Sequence, residues 1–272
     1  MRIAIISDIH GNLEAFRRVL EDIEAMGPDR IVSLGDNIGY GPEPEEVVRL
    51  VRERAIPSVM GNHELASTRI GQKRWFNPVA RKSVNRTNDL LSKDSLRYLR
   101  DLPMSLVIEG CRFVHGCPPD SPRRYLYEYD EQDFTSVFNL YAEDMCFVGH
   151  THELELITHR GGFTIRRPLG EGGVELAPGG GTRYIVNTGS VGQPRDGNNN
   201  AKYAIWDKDS NILEIRYVSY DIDVTANRIR ELGFPEQFAS RLYWTVENQK
   251  EREDLESSEN MENPESRETE AP

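Results

Sequence analysis

Histidine, carboxylate and amide side chains recur in this chain at the ends of apolar runs. The motifs are Asp8-Ile9-His10, Gly35-Asp36-Asn37, Gly61-Asn62-His63-Glu64, Val114-His115-Gly116 and Gly149-His150-Thr151-His152. Together they hold five of the six histidines, so nearly all of the chain's imidazole is committed to them. Imidazole nitrogens and carboxylate or amide oxygens are the donors that hold two divalent metals side by side. Residues at strand ends are collected on one rim of a sheet even when far apart in sequence. The pattern therefore reads as a two-metal hydrolase of phosphate esters, one of the chemistries that such a pair can perform.

Taken singly, the motifs are weak. Asp8 and His10 have the period-two spacing that turns both side chains to one side of an extended strand end, but a polar strand cap looks the same. Asp36 sits in an ordinary turn sequence. As a ligand its two oxygens would bridge two cations, which repel each other at about 3.5 to 4 Å unless they share an anion. Asn62 offers a neutral oxygen. His63 points elsewhere and is a candidate acid for the departing oxygen, with a further ligand or an orienting donor as the other readings. His115 is a candidate ligand that by itself resembles a satisfied core histidine. His150 and His152 repeat the period-two spacing, so one segment can serve both metals, and Gly149 leaves room for the backbone to approach. Nitrogen and oxygen donors without thiolate suit Mn, Fe, Ni, Co or Zn more than Mg or Ca.

The elements that must carry these residues follow from hydrophobic period. Residues 2–7 are a β-branched run ending at Asp8. Asn12 is placed to cap a helix in which Leu13, Phe16, Leu20 and Ile23 recur at helical spacing, and Gly27-Pro28 stops it. A strand over 30–34, a helix over 44–54 and a strand over 56–60 complete a βαβαβ pattern, the mark of a parallel sheet covered by helices. Asn77-Pro78 opens a helical region that runs to about residue 102, with a break near Ser92. Residues 111–114 and 145–148 are short strands that run straight into motif histidines. After His152 the pattern changes to strands over 154–158, 163–167, 184–186, 202–206 and 212–218, suggesting a second, more antiparallel sheet. Gly161-Gly162 and Asp209-Ser210-Asn211 suit hairpin turns. Helices are expected over 223–232 and through Leu242.

Bulk properties narrow the partners. The net charge is −12, but residues 247–272 carry ten acidic and three basic side chains, leaving −5 for the first 246 residues. The expectation is one domain over 1–246 and an acidic, disordered tail over 247–272. No basic face is evident, which argues against nucleic acid as a partner. The three cysteines (Cys111, Cys117, Cys146) form no disulfide framework and read as reduced thiols of a cytoplasmic protein. No signal peptide and no membrane span are expected. Nothing in the sequence sets an oligomeric state.

The ordered set Asp-x-His, Gly-Asp, Gly-Asn-His, His, Gly-His-x-His resembles the calcineurin-like metallophosphoesterase superfamily over roughly residues 1–219. The resemblance implies a four-layer α/β/β/α sandwich with two central mixed β-sheets. It also implies one cation on Asp8, His10, Asp36 and His152, and a second on Asp36, Asn62, His115 and His150. His63 would be the acid beside the leaving group. The implied reaction on a small phosphate ester is in-line attack by a hydroxide shared between the cations, with a diester preferred. The alternatives are a phosphomonoesterase (of protein or small molecules) and a non-catalytic metal-binding scaffold, the latter disfavoured because every ligand position is filled. The protein serine/threonine phosphatase branch carries Gly-Asp-x-x-Asp-Arg-Gly and an Arg after Gly-Asn-His-Glu. Here Gly39, Tyr40 and Leu65 stand at those places, which puts protein phosphatase activity in doubt. Gly35-Asp36-Asn37-Ile38-Gly39-Tyr40-Gly41-Pro42 and residues 187–196 (NTGSVGQPRD) resemble small prokaryotic members instead.

Arg195, in that last motif, is a candidate for clamping a phosphate oxygen; Arg123 and Arg124 are weaker candidates. Tyr40, Trp75 and Phe76 read as packing residues before they read as a surface for a nucleobase. Residues 170–173 and 179–181 lack a following Gly-Lys-Ser/Thr and are read as hairpin loops rather than phosphate cradles.

Overall fold

A computed structural model describes residues 1–245; the expected tail, 247–272, lies outside them. Strands and helices follow in the order β1 (Arg2–Ile6), α1 (Leu13–Met26), β2 (Arg30–Ser33), α2 (Pro44–Glu53), α3 (Asn62–Thr68), α4 (Pro78–Leu90), α5 (Lys93–Arg100), β3 (Ser105–Ile108), β4 (Cys111–Val114), α6 (Phe134–Phe138), β5 (Met145–Val148), β6 (Leu154–Arg160), β7 (Phe163–Pro168), β8 (Gly172–Glu175), β9 (Thr182–Thr188), β10 (Ala201–Asp207), β11 (Ile212–Val218), α7 (Ile222–Glu231) and α8 (Glu236–Arg241). Two mixed sheets result, ordered β2-β1-β10-β11-β8 and β3-β4-β5-β9-β6-β7.

Strand alternation builds the layers. Ile3 and Ile5 of β1, Ala204 and Trp206 of β10, and Met145 and Phe147 of β5 fill the space between the sheets. Ala4 and Ile6, and Tyr203 and Ile205, face the opposite way, onto Phe16, Val19, Leu20 and Ile23 of α1. Cys146 and Val148 face Phe134, Val137 and Phe138 of α6. Burying one such aliphatic or aromatic side chain contributes about 1.5–3 kcal/mol, so the three apolar layers between them fix the sandwich. The helix signals act as read. Asn12, Asn77 and Ser92 each accept a backbone N–H in the first turn of their helices, and Gly27 ends α1 at φ +60°.

Some expectations need correction. Residues 56–60 do not form a strand; only a Ser33–Ser58 bridge survives. Pro57 has no N–H to give, and the Met60 N–H turns away to the Pro103 carbonyl. The strands after His152 do not form a separate sheet. β10 pairs antiparallel with β1, and β9 pairs parallel with β5, so both sheets mix early and late segments. β3 and β8 escaped notice; both are short edge strands, and β8 begins with two glycines that hide its period. Residues 170–173 are thus partly strand, whereas 179–181 do form a turn, closed by a Gly179–Thr182 bridge.

Candidate metal centre

Every candidate ligand leaves the carboxyl end of a parallel strand or of the segment bridged to it, where sites in α/β sheets gather. Asp8 follows β1, Asp36 follows β2, His115 follows β4, and His150 and His152 follow β5. The period-two argument for Asp8/His10 and His150/His152 does not describe their backbone. All four have left-handed φ (+53°, +51°, +72° and +63°), as do Asp36 (+50°) and Tyr40 (+57°). These six are among nine non-glycine residues with positive φ among the described residues, so the conformation that costs most is concentrated at one place. Gly149 lets the β5 end approach the β1 end: a Cβ there would lie 1.9 Å from Ser7 Oγ and 2.4 Å from Asp8 Oδ2.

The structure brings Asp8, His10, Asp36, Asn62, His115, His150 and His152 together, with His63 beside them. His10 Nε2 is 3.0 Å from His152 Nε2, and His152 Nε2 is 3.2 Å from Asp8 Oδ1. His115 Nε2 lies 3.1 Å from His150 Nδ1, 3.1 Å from Asn62 Oδ1 and 3.2 Å from Asp36 Oδ2. Asp36 Oδ2 is also 3.8 Å from His10 Nε2, so it faces both halves.

The other nitrogen of each ring explains these contacts. His10 Nδ1 donates to the Ile38 carbonyl, His115 Nδ1 to Leu34, His152 Nδ1 to Gln193 and His150 Nε2 to Arg123. A carbonyl only accepts, so each neutral ring turns a lone pair inward. The inward contacts are then acceptor against acceptor, which only a cation or a proton between them relieves. Asp8 Oδ1 adds to this, being buried with no hydrogen-bond donor among the described residues. Grouped by distance, Asp8, His10 and His152 form one possible cation site, and Asp36, His115 and His150 another. The donor set fits two divalent cations. A third grouping, His10, Asp36 and His63, keeps His63 within ligand range.

Electrostatics set His115 apart from the other rings. Burial, then the neighbouring His152 and His63, push His10 well below the usual histidine range. Burial and Arg195 push His152 down. Burial and His115 push His150 to about 3. Burial also pulls on His115, but Asp36, Asp8 and Glu64 together outweigh it and raise it to about 9. Burial lowers His63 to about 4 against the pull of Asp36.

His63 opens α3 rather than a turn, next to Asn62 and pointing away from it. Its N–H donates 2.9 Å to Asp36 Oδ1. Its ring meets Tyr40 at 4.4 Å and Phe76 at 4.8 Å, both edge-on, and its Nδ1 is buried without a hydrogen-bond partner. A Cβ on Gly39 would lie 2.1 Å from that Nδ1, so no side chain, carboxylate included, fits at 39 against this rotamer.

Sequence reasoning gave Glu64 no role. It is fully buried and accepts the N–H groups of Asp36 (2.9 Å), Asn37 (2.7 Å) and Gly61 (2.9 Å), tying two ligand loops together. Its signal was a Glu three residues after Gly61, at the capping-box position of α3. Residues 187–196 earn their resemblance structurally: Ser190 Oγ and the Gly192 N–H both donate to the Asp8 carbonyl, and Gln193 holds His152. Arg195 lies beside the centre. Its N–H donates to the His152 carbonyl, and Nη2 donates to Gln193 Oε1 at 3.2 Å. Arg123 is instead laid over Trp75 at 4.7 Å, and Arg124 donates to the Tyr129 hydroxyl. Tyr40 and Phe76 pack on His63.

The sequence pattern of the calcineurin-like phosphoesterase superfamily domain matches residues 1–211. The chain belongs to that superfamily. It is 36% identical over 245 residues to an uncharacterized protein of Methanocaldococcus jannaschii, covering 89% of this chain and 97% of the other. A metallophosphoesterase from Sphaerobacter thermophilus superposes with a TM-score of 0.77 at 38% identity, covering 90% of this chain and 99% of that one. A hypothetical protein from Pyrococcus horikoshii, 19% identical, shares the fold with a TM-score of 0.71 over 89% of this chain and 98% of its own. The superfamily's chemistry is phosphate-ester hydrolysis with divalent metals. Among the described residues no helix is long and apolar enough to cross a membrane, and Cys111, Cys117 and Cys146 are free and buried.

Proposed function

We propose that this chain is a dinuclear-metal phosphoesterase acting on a small phosphodiester. The observation that carries the reading is the doubled set of inward lone pairs around Asp36. Asp8, His10, Asp36 and His152 would hold one divalent transition metal (Mn, Fe, Ni, Co or Zn), and Asp36, Asn62, His115 and His150 the other. Bound there, the cations would supply positive charge beside the phosphoryl group and the acidity that makes water a nucleophile at neutral pH.

The chain's own residues do the rest. Arg195, braced by Gln193, offers its guanidinium to a nonbridging phosphoryl oxygen. His63 borders the centre, its ring 4.9 Å from that of His10, and donates a proton to the leaving oxygen. Burial keeps its imidazole neutral, and the negative charge of a bound phosphoryl group acts in the opposite sense, so proton donation is tied to the presence of substrate. Phe76 and Tyr40 exclude water around its ring. A diester is preferred because it carries one charge fewer than a monoester dianion. Tyr40 and Leu65 stand where protein phosphatases place arginines.

Loading the protein with each metal and comparing bis-p-nitrophenyl phosphate with p-nitrophenyl phosphate tests the reading; faster turnover of the diester is expected. Asp36→Asn should lose both metals and activity together. His63→Asn should keep both metals and lose about 10²–10⁴-fold in kcat. Equal metal loss in the two variants would make His63 a ligand and remove its assigned role.

A further inference from the structure

A series of rings leads from the centre to solvent. Tyr125 lies on His150 at 3.8 Å between centroids and 15° between planes, and Tyr127 lies on Tyr125 at 4.7 Å and 15°. Tyr127 is 63% exposed, so the series ends in a free aromatic edge and face. The segment that carries the rings is tied to the candidate ligand, because His150 Nε2 donates to the Arg123 carbonyl. An exposed tyrosine alone is ordinary. Three rings held nearly parallel, starting on a candidate ligand, are not what chance exposure produces.

Nearby charge is of the sign that an organic phosphate needs. Arg195, whose backbone N–H donates to the His152 carbonyl and whose Nη2 donates to Gln193 Oε1, brings its guanidinium to the same rim. The aromatics on the His63 side are already engaged. Tyr40 and Phe76 pack edge-on against His63, and Trp75 lies beneath Arg123 and Arg74, at 4.7 and 5.5 Å. Tyr127, the outer ring of the Tyr125–Tyr127 pair, is exposed and is stacked on another ring rather than covered by an arginine.

We propose that Tyr125 and Tyr127 form a stacking platform for the base of a nucleoside-bearing phosphate ester, and that Tyr127 sets this preference. The proposal rests on the phosphoesterase reading for the position of the phosphate, and the platform itself can be measured separately. Stacking on an aromatic side chain is tolerant of base identity, so adenine and cytosine esters should both be accepted.

Two measurements test it on the full-length chain. The first is titration of AMP into the metal-loaded protein, followed by NMR of the adenine protons. Upfield ring-current shifts are expected, kept in Tyr127→Phe and lost in Tyr127→Ala, with roughly tenfold weaker AMP binding in the latter. Metal content and circular dichroism of Tyr127→Ala guard against indirect loss through His150. Absent shifts, shifts that survive Tyr127→Ala, or equal affinity for AMP and glycerol 3-phosphate would overturn the platform. The second compares the methyl esters of adenosine 5′-phosphate and glycerol 3-phosphate as substrates. The ratio of their kcat/KM values should fall about tenfold in Tyr127→Ala, carried by KM; an unchanged ratio also overturns the platform. If AMP stacks but no ester is hydrolysed, the platform stands and the phosphoesterase reading falls. Hydrolysis without stacking is the reverse outcome.

Discussion

Around Asp36 the two halves of the centre are assembled from different donors. The half that contains His10 and His152 has a carboxylate of its own, Asp8, besides its share of Asp36. The half that contains His115 and His150 has the neutral amide of Asn62 instead. An extra unit charge at contact distance is worth on the order of 4 kcal/mol at an effective dielectric of about 20. Under the proposed assignment the Asp8 half therefore binds its cation first and more tightly. The Asn62 half releases more easily and is better suited to a cation that shares its coordination with substrate. Without any metal, one ring of the Asn62 half stands apart: His10, His152 and His150 are all pushed down, whereas His115 rises to about 9. In the Asn62 half a proton already fills part of the cation's role.

The largest expected effect breaks the comparison directly. Asp8→Ala should abolish the tight site, and with it activity by more than about 10³-fold, because Asp8 also accepts the Ser7 hydroxyl and the His150 N–H that shape the rim. Asn62→Ala should leave one equivalent of metal bound after gel filtration, with activity down about 10²-fold. Metal analysis by mass spectrometry reads both. If Asn62→Ala releases two equivalents and Asp8→Ala one, the ranking of the halves is reversed.

A pH titration sharpens it. Above pH 7 the imidazoles of the Asp8 half are already neutral, so calorimetric Mn²⁺ affinity at the tight site should be flat from pH 7 to 9. His115 keeps its proton up to about pH 9. A cation must displace that proton, so affinity at the weaker site should rise by up to about tenfold per pH unit over the same window. Stability of the metal-free chain runs the opposite way. The His115 pKa is raised on folding from 6.5 to about 9. Its contribution is complete below pH 6.5 and lost as pH climbs through 9, so Tm should fall across that interval. Equal affinity slopes at both sites would remove His115 as the source.

The contrast between the halves also marks how far sequence could reach. All the donors were legible, because each is a chemically distinctive side chain at the end of an apolar run. Their local geometry was not. Asp8, His10, His150 and His152 were expected to align by strand period and instead align by left-handed backbone, which is imposed by partners far away, such as the Asp8 carbonyl receiving Ser190 and Gly192. The mixing of early and late strands was hidden for the same reason: β1 pairs with β10 about 200 residues later, and strand pairing at that separation has no local signature. Tyr125 and Tyr127 were unreadable because stacking depends on ring orientation. Gly39 was visible as a departure, but only the 2.1 Å approach to His63 explains it.

The smallest expected effect concerns the brace behind the Asp8 half. Lys202 is buried on β10, and its Nζ is 2.6 Å from Asp196 Oδ1, donates to the Asn198 carbonyl and lies 5.1 Å from the Tyr217 ring centroid. This pair closes the turn that begins at Gln193, the residue whose carbonyl fixes the tautomer of His152. Lys202→Met strands the Asp196 carboxylate beside an apolar side chain. Breaking a buried pair from one side costs about 3 kcal/mol or more, and removing both charges costs much less. Thermal denaturation of Lys202→Met should therefore show a clear loss that Lys202→Met with Asp196→Asn largely restores. If the turn acts through Gln193, Mn²⁺ affinity should drop a few-fold at the tight site and stay constant at the weaker one, because His115 and His150 take their orienting bonds from Leu34 and Arg123. A few-fold loss at both sites would mean that the variant loosens the whole rim and that the two halves do not have separate supports.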